Sequence, residues 1–324
     1  MKLPLAAALL LAMACLARPA FAAVDYTGLT IDGYTFGSDV GGYGDLMISD
    51  VCDIAAAVDK KNFTLAADIY ANGANNPDKA LKGWAQSDHA GAPYFDLYAA
   101  YFNDSLWLNN WIEAGLMGEG IFADEGARSQ VVKKGTQSNL LVYYMFHEVD
   151  EGLEAIEAGR LDAAKGAPHK VDEGAALWFG AGCEKGNIAN VANKRGSSWG
   201  TMVNGTDGCT AATNVVAAKA LAKMRAAGVA GDAAAYKAAA AELEKAVVTV
   251  YMQATLAYAQ EVGEVLTDAP GNPTEEEQAE GYTFFRTIAP LVAKVKAALQ
   301  PAMEAYGITA DDIGTFGATP QCDF

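Results

Sequence analysis

Apolar positions along this chain recur mostly every three or four residues, the spacing of one helix face, and only near the start do they alternate as in a strand. The alternating stretch is DYTGLTIDGYTF at 25–36, with β-formers on both sides of Asp32-Gly33, which predicts a short hairpin. Helical spacing then predicts a pair at 49–58 and 62–71 across Lys60-Lys61, and one aromatic helix over 94–116. Over 136–158, Val142, Met145, Phe146, Val149, Leu153 and Ile156 fall on one stripe, the clearest amphipathic helix in the chain. Pro168 suits the first turn of a helix that runs to Gly180. Gly, Asn and Ser crowd 184–208, which reads as a long loop, and helices resume at 211–227 and 232–265. Thr274 with Glu275, Glu276 and Glu277 forms a capping box for 275–299, kinked or interrupted at Pro290. The pattern predicts an all-α multi-helix bundle with a short N-terminal β-hairpin.

The first residues, MKLPLAAALLLAMACLARPAFA, are apolar all round rather than on one face. An early Lys and the small-x-small ending Ala20-Phe21-Ala22 give residues 1–22 the form of a secretory signal peptide. Residues 23–324 then read as a single helical domain, since no Pro- or Ser-rich linker divides them. Charges interrupt 211–265 every few residues, so membrane insertion is not expected.

Loss of Cys15 with the signal leaves Cys52, Cys183, Cys209 and Cys322, an even number that fits two disulfides in an oxidising compartment. Sequence leaves the three pairings open; Cys183 with Cys209, closing a local loop, and Cys52 with Cys322, tying the ends, is the preferred one. Sequons at Asn62, Asn103 and Asn204 permit N-glycosylation in a eukaryotic host. A formal charge of −17 repels nucleic acid and anionic lipid and attracts cations. The expected location is extracytoplasmic: secreted, in a periplasmic space or at the cell surface.

HEVDEG at 147–152 has an echo, HKVDEG at 169–174, in which His, Val, Asp, Glu and Gly recur after 22 residues. His147, Glu151 and Glu154 share a helix face opposite the apolar stripe, and the ordinary reading of such a face is a solvated one. His169 and Glu173 behave alike, but Leu177 sits beside Glu173, and a carboxylate buried there needs a partner that a cation can supply. Glu280 lies one turn from Phe284, and Glu125 follows Ile121 and Phe122 by one turn. Together Glu125, His147, Glu151, Glu173 and Glu280 make an oxygen-rich, partly imidazole set of the kind that suits iron or manganese. The competing reading is helix-packing glycines with adjacent surface acids.

His89, in the turn SDHAGAP at 87–93, reads as a loop or capping residue. Lys194-Arg195 can hold an anion such as a carboxylate, although a solvated pair is the simpler view. No Gly-x-Ser-x-Gly elbow, phosphate loop or His-Glu-x-x-His helix is present, so no catalytic residue is assigned.

Several stretches together resemble the algal low-iron-inducible periplasmic protein family, also called iron-assimilating proteins, which includes relatives induced by high carbon dioxide. They are DIAAAVDKKNFTLAADIYANGAN (53–75), HAGAPYFDLYAAYFNDSLWLNNWI (89–112), DEGAALWFGAG (172–182), ANKRGSSWGT (192–201) and AEGYTFFRTIAPLVAK (279–294). The resemblance implies a secreted helical protein that assists iron acquisition by binding iron outside the plasma membrane, without catalysis. Its partners would be iron ions and a plasma-membrane iron-uptake system. The metal-ligand set above comes from residue chemistry and is not carried over from the family. Two other readings compete: a metal-dependent surface enzyme such as a ferroxidase, and a ligand-free cell-wall glycoprotein.

Overall fold

The computed structural model describes residues 23–76, 79–183, 185–203, 209–268, 275–294 and 299–317. The expected signal peptide, Cys15, the sequon at Asn204, Thr274 of the expected capping box and Cys322 lie outside the described residues.

Strands β1 (Thr30–Ile31) and β2 (Tyr34–Thr35) pair antiparallel as the expected hairpin. Asp32 and Gly33 both take positive φ, 48° and 87°, which a two-residue turn of this hand requires. A π-helical turn, Gly42–Met47, runs directly into α1 (Ile48–Asp59). Then come α2 (Phe63–Asn72), capped by the Asn62 side chain accepting from Leu65 N at 3.0 Å, and the short α3 (Leu81–Ala85).

The aromatic stretch forms two helices rather than one, α4 (Pro93–Phe102) and α5 (Trp107–Met117). Asn103 turns left-handed at φ 51°, and the Asp104 carboxylate accepts from Leu106 N at 2.8 Å. A short polar side chain bonding its own backbone here outcompetes the apolar periodicity.

The chain then runs as one rod through α6 (Glu125–Lys134), a π-helical segment Gly135–Leu140, and α7 (Leu141–Glu157). Asn139, in the widened segment, donates to Thr283 O at 2.9 Å and Thr287 Oγ1 at 2.7 Å. The apolar stripe of α7 is where periodicity puts it, but the opposite face is not solvated over its first half. Tyr143, Tyr144, His147 and Glu148 are buried as well, because α7 runs through the middle of the bundle against α4, α8 (Ala167–Phe179) and α11 (Ala233–Asp268).

The expected loop at 184–208 contains a helix, α9 (Ile188–Trp199), started by the Asn187 side chain accepting from Asn190 N at 2.8 Å. Its small residues serve close packing: a Cβ on Gly196 would stand 2.9 Å from both Ala211 and the Met202 sulfur. A second antiparallel pair, β3 (Met202–Val203) with β4 (Thr210–Ala211), leads to α10 (Ala212–Ala230) and α11. Helix α12 (Glu275–Lys294) carries on through Pro290, so of the expected kink or interruption there the interruption does not occur. The short α13 (Leu299–Tyr306) and α14 (Ala310–Ile313) follow. One hydrophobic core extends from Tyr26 to Ile313.

Cys52 and Cys183 form a disulfide across 131 residues, with Cα atoms 6.6 Å apart. This overturns both expected pairings, since Cys183 is not joined to Cys209 nor Cys52 to Cys322. Contact of α1 with the segment leaving α8 decides the partner, and sequence proximity does not. Cys209 is disulfide-bonded too, to neither of these two. No helix among the described residues is long and apolar enough to cross a membrane. Asn62 and Asn103 are exposed.

Candidate functional site

Tyr144 and His147 stand one turn apart on α7, so both face the turn that precedes α4. That turn is closed by Ala92 N donating to the His89 carbonyl at 2.9 Å, and it lays the His89 ring flat on His147. The two imidazole centroids are 3.7 Å apart, with planes 26° from parallel. Tyr144 and Phe95 hold the edges of His89 at 6.0 and 6.1 Å, and Trp84 backs Tyr144 at 4.1 Å. The sequence reading of His89 as a loop residue is right for its backbone but not for its ring.

Burial is the main reason that His147 is held down to about 3, reinforced by His89 and Lys170 and opposed by Glu173. Burial lowers His89 as well, against the pull of Glu151 and Asp88. Both rings are therefore neutral at neutral pH, the form in which imidazole ligates a metal. His89 Nε2 and His147 Nδ1 are buried without a hydrogen-bond partner among the described residues.

Beneath the rings, Lys170 of α8 gathers three carboxylates: Glu173 at 2.8 Å, Glu148 at 3.2 Å and Glu151 at 3.6 Å. Tyr43 donates to Glu148 Oε1 at 3.0 Å. Full burial, then the neighbouring charge of Glu173, raises Glu148 and favours its protonated form. Burial pushes Glu173 up too, but the hydrogen bond from His169 and the charge of Lys170 outweigh it and bring it to about 2. His169 turns its other nitrogen to Ser38 Oγ at 2.8 Å. Ser38 donates to Asp172 at 2.7 Å, as does Tyr34 at 2.6 Å, and Arg225 completes the group at 3.2 Å, so Asp172 pins the N-terminal hairpin to α8.

Above the rings a cleft of about 600 Å³ opens between the 89–93 turn and α7, lined by Asp150, Glu151, Glu154 and Glu157 and, among the described residues, by no lysine or arginine. Burial raises Asp150 to about 6, opposed by Tyr94 N, which donates to it at 2.9 Å. Glu154 lies at the rim, exposed and paired with Arg160.

Of the five residues picked from sequence, the structure brings together three: His147, Glu151 and Glu173. Glu125 is exposed at the start of α6 and pairs with Lys61 at 3.4 Å. Glu280, on α12, is mostly buried against Lys134 at 3.1 Å. Neither shares an ion pair or a cavity wall with the other three among the described residues. Amphipathic counting put all five beside apolar neighbours, which is a local property and carries no information about which helices meet.

The model of the low iron-inducible periplasmic protein family matches residues 6–279. The chain belongs to that family. Comparison with curated proteins and with solved structures gives no match. The family is one of periplasmic proteins induced at low iron, in accord with the extracytoplasmic location read from the sequence. In this member of the family, sequence reasoning missed Glu148, Lys170 and Tyr43, and set His89 aside as a loop or capping residue. Lys170 and Glu148 lay inside the echo and were open to view; nothing local ties His89 or Tyr43 to it.

Proposed function

We propose that this protein captures iron reversibly in the cleft over the stacked imidazoles, with His89, His147 and Glu151 as ligands and no catalytic turnover. The observation that carries the reading is the pair of neutral, buried imidazoles whose Nε2 and Nδ1 lack partners among the described residues, placed under an acidic cleft. Two imidazoles and one carboxylate are a donor set that favours a transition metal over calcium or magnesium. Among the described residues no group of three or more His, Cys, Asp or Glu is already gathered as a metal site. Capture therefore requires Glu151, half-exposed and only loosely paired with Lys170 at 3.6 Å, to swing toward the rings, and the stacked rings to splay so that their in-plane lone pairs converge. Glu173 and Glu148 stay with Lys170 and keep the ground beneath the metal electrically balanced.

Dialysis of the purified chain against ferrous iron without oxygen, and against a weak ferric chelate, tests this. One iron per chain is expected in at least one arm. The H147Q and E151Q variants should each weaken it by about tenfold or more, and E125Q with E280Q should leave it unchanged. Equal affinity in H147Q and wild type would remove the cleft from the account.

A further inference from the structure

The chain carries 40 acidic and 23 basic residues, yet one cavity is lined mainly by the minority charge. It measures about 490 Å³ and lies between α1, the end of α6 and α9. Lys133, Lys134, Lys185 and Lys194 line it, with Asp59 as the one carboxylate on the wall among the described residues. Asp59 is taken by Lys133 at 3.0 Å, and Lys134 is taken by Glu280 at 3.1 Å. Lys185 and Lys194 have no carboxylate partner among the described residues. Lys194 is more than half buried, and that burial, with Lys134, Arg195 and Lys185 around it, holds its ammonium below the usual range against the weaker pull of Glu280. A half-buried cation among cations is costly unless something negative joins it.

Apart from Asp59, the α1 part of the lining is apolar, made of Val51, Ala55 and Ala56 beside the Cys52 and Cys183 disulfide. Gly186 lets the chain turn directly over the sulfurs, because a Cβ there would stand 2.9 Å from both. The loop that presents Lys185 is thus built against the disulfide.

We propose that this pocket binds a small organic polycarboxylate, its carboxylates taken by Lys185 and Lys194 and its carbon skeleton lying on the α1 wall. Four lysines from three separate segments around so large an opening suit several spaced carboxylates better than one compact tetrahedral anion. The apolar wall gives a carbon skeleton something to cover, which inorganic phosphate lacks. The site shares no residue with the imidazole cleft and stands independently of the iron reading.

Calorimetric titration of the iron-free full chain at low ionic strength, with citrate in one arm and inorganic phosphate in the other, is the test. Citrate is expected to bind one per chain, more tightly than phosphate, and to weaken as salt rises. K185Q and K194Q should each lower citrate affinity by about tenfold, while K223Q, at an exposed lysine paired with Glu242 elsewhere, should not. Circular dichroism of each variant checks the fold, and K185Q alone carries the test if K194Q fails to fold. Absence of citrate binding, phosphate as tight as citrate, or an equal loss in K223Q would each overturn the proposal.

Discussion

Glu148 and Lys170 occupy the same place in the two copies of the HxVDEG echo, and they meet across α7 and α8 as an ion pair at 3.2 Å. The helices run antiparallel, since Lys170 meets Glu148 and Glu151 while Gly174, one turn further along α8, lies against Met145, earlier on α7, so the middles of the two copies face each other. The one position at which the copies differ is the one where like residues would have set like charges together. The glycines of the echo serve packing: Gly174 lies against Met145 and the Glu148 side chain, and a Cβ on Gly152 would collide with the Tyr236 hydroxyl.

Lys170 is the counter-charge for three carboxylates, whereas Glu148 leans to its neutral form, so the two should not be equally costly to remove. K170M is expected to destabilise the chain by about 3–5 kcal/mol, since it leaves buried carboxylates uncompensated. E148Q keeps the acceptor for Tyr43 and should cost less than about 1 kcal/mol. Denaturant unfolding of both variants measures the difference; equal losses would mean that Glu148 is fully ionised.

His147 should remain neutral far below the ordinary histidine range. Two-dimensional NMR of the imidazoles is expected to show no protonation of His147 between pH 7 and 5. Only the folded state resists that proton, so its contribution to stability is complete above 6.5 and is lost as pH falls from 6.5 toward about 3. Asp150 runs the other way: raised from 3.8 to about 6, it stabilises the fold below 3.8 and loses that contribution as pH rises toward 6. The two oppose each other in a global unfolding curve, and a ring-specific signal separates them. A His147 midpoint near 6.5 would contradict the buried, cation-flanked geometry.

Peptide mapping of unreduced protein should recover Cys52 linked to Cys183. Replacing both with Ala is expected to cost about 2–5 kcal/mol, a long loop being released in the unfolded chain. Recovery of a peptide joining Cys183 to Cys209 would contradict the fold around α1.

The helices were legible where periodicity is a local matter, as at α1, α2, α8 and the hairpin at Asp32-Gly33. Legibility failed where one side chain redirects the backbone, as Asn103 does between α4 and α5, or where small polar residues pack tightly, as in α9. Half of the candidate site could be read for a related reason. The 22-residue echo joined His147 and Glu151 to Glu173 because a short connection forces consecutive helices together. His89 reaches His147 across 58 positions of chain, a contact that depends on how the 89–93 turn sits over α7 and on nothing either segment carries alone. Glu125 and Glu280 resembled the others in their neighbours and differ only in where their helices lie.

The most direct measurement of the central claim is X-ray absorption at the iron edge on protein loaded with one equivalent of iron. The account predicts two imidazole ligands, recognisable by multiple scattering from the ring atoms, with oxygen completing the shell. In the H89Q and H147Q variants together that ring signal should vanish. A shell of oxygen alone in the wild-type protein, unchanged in the double variant, would contradict it.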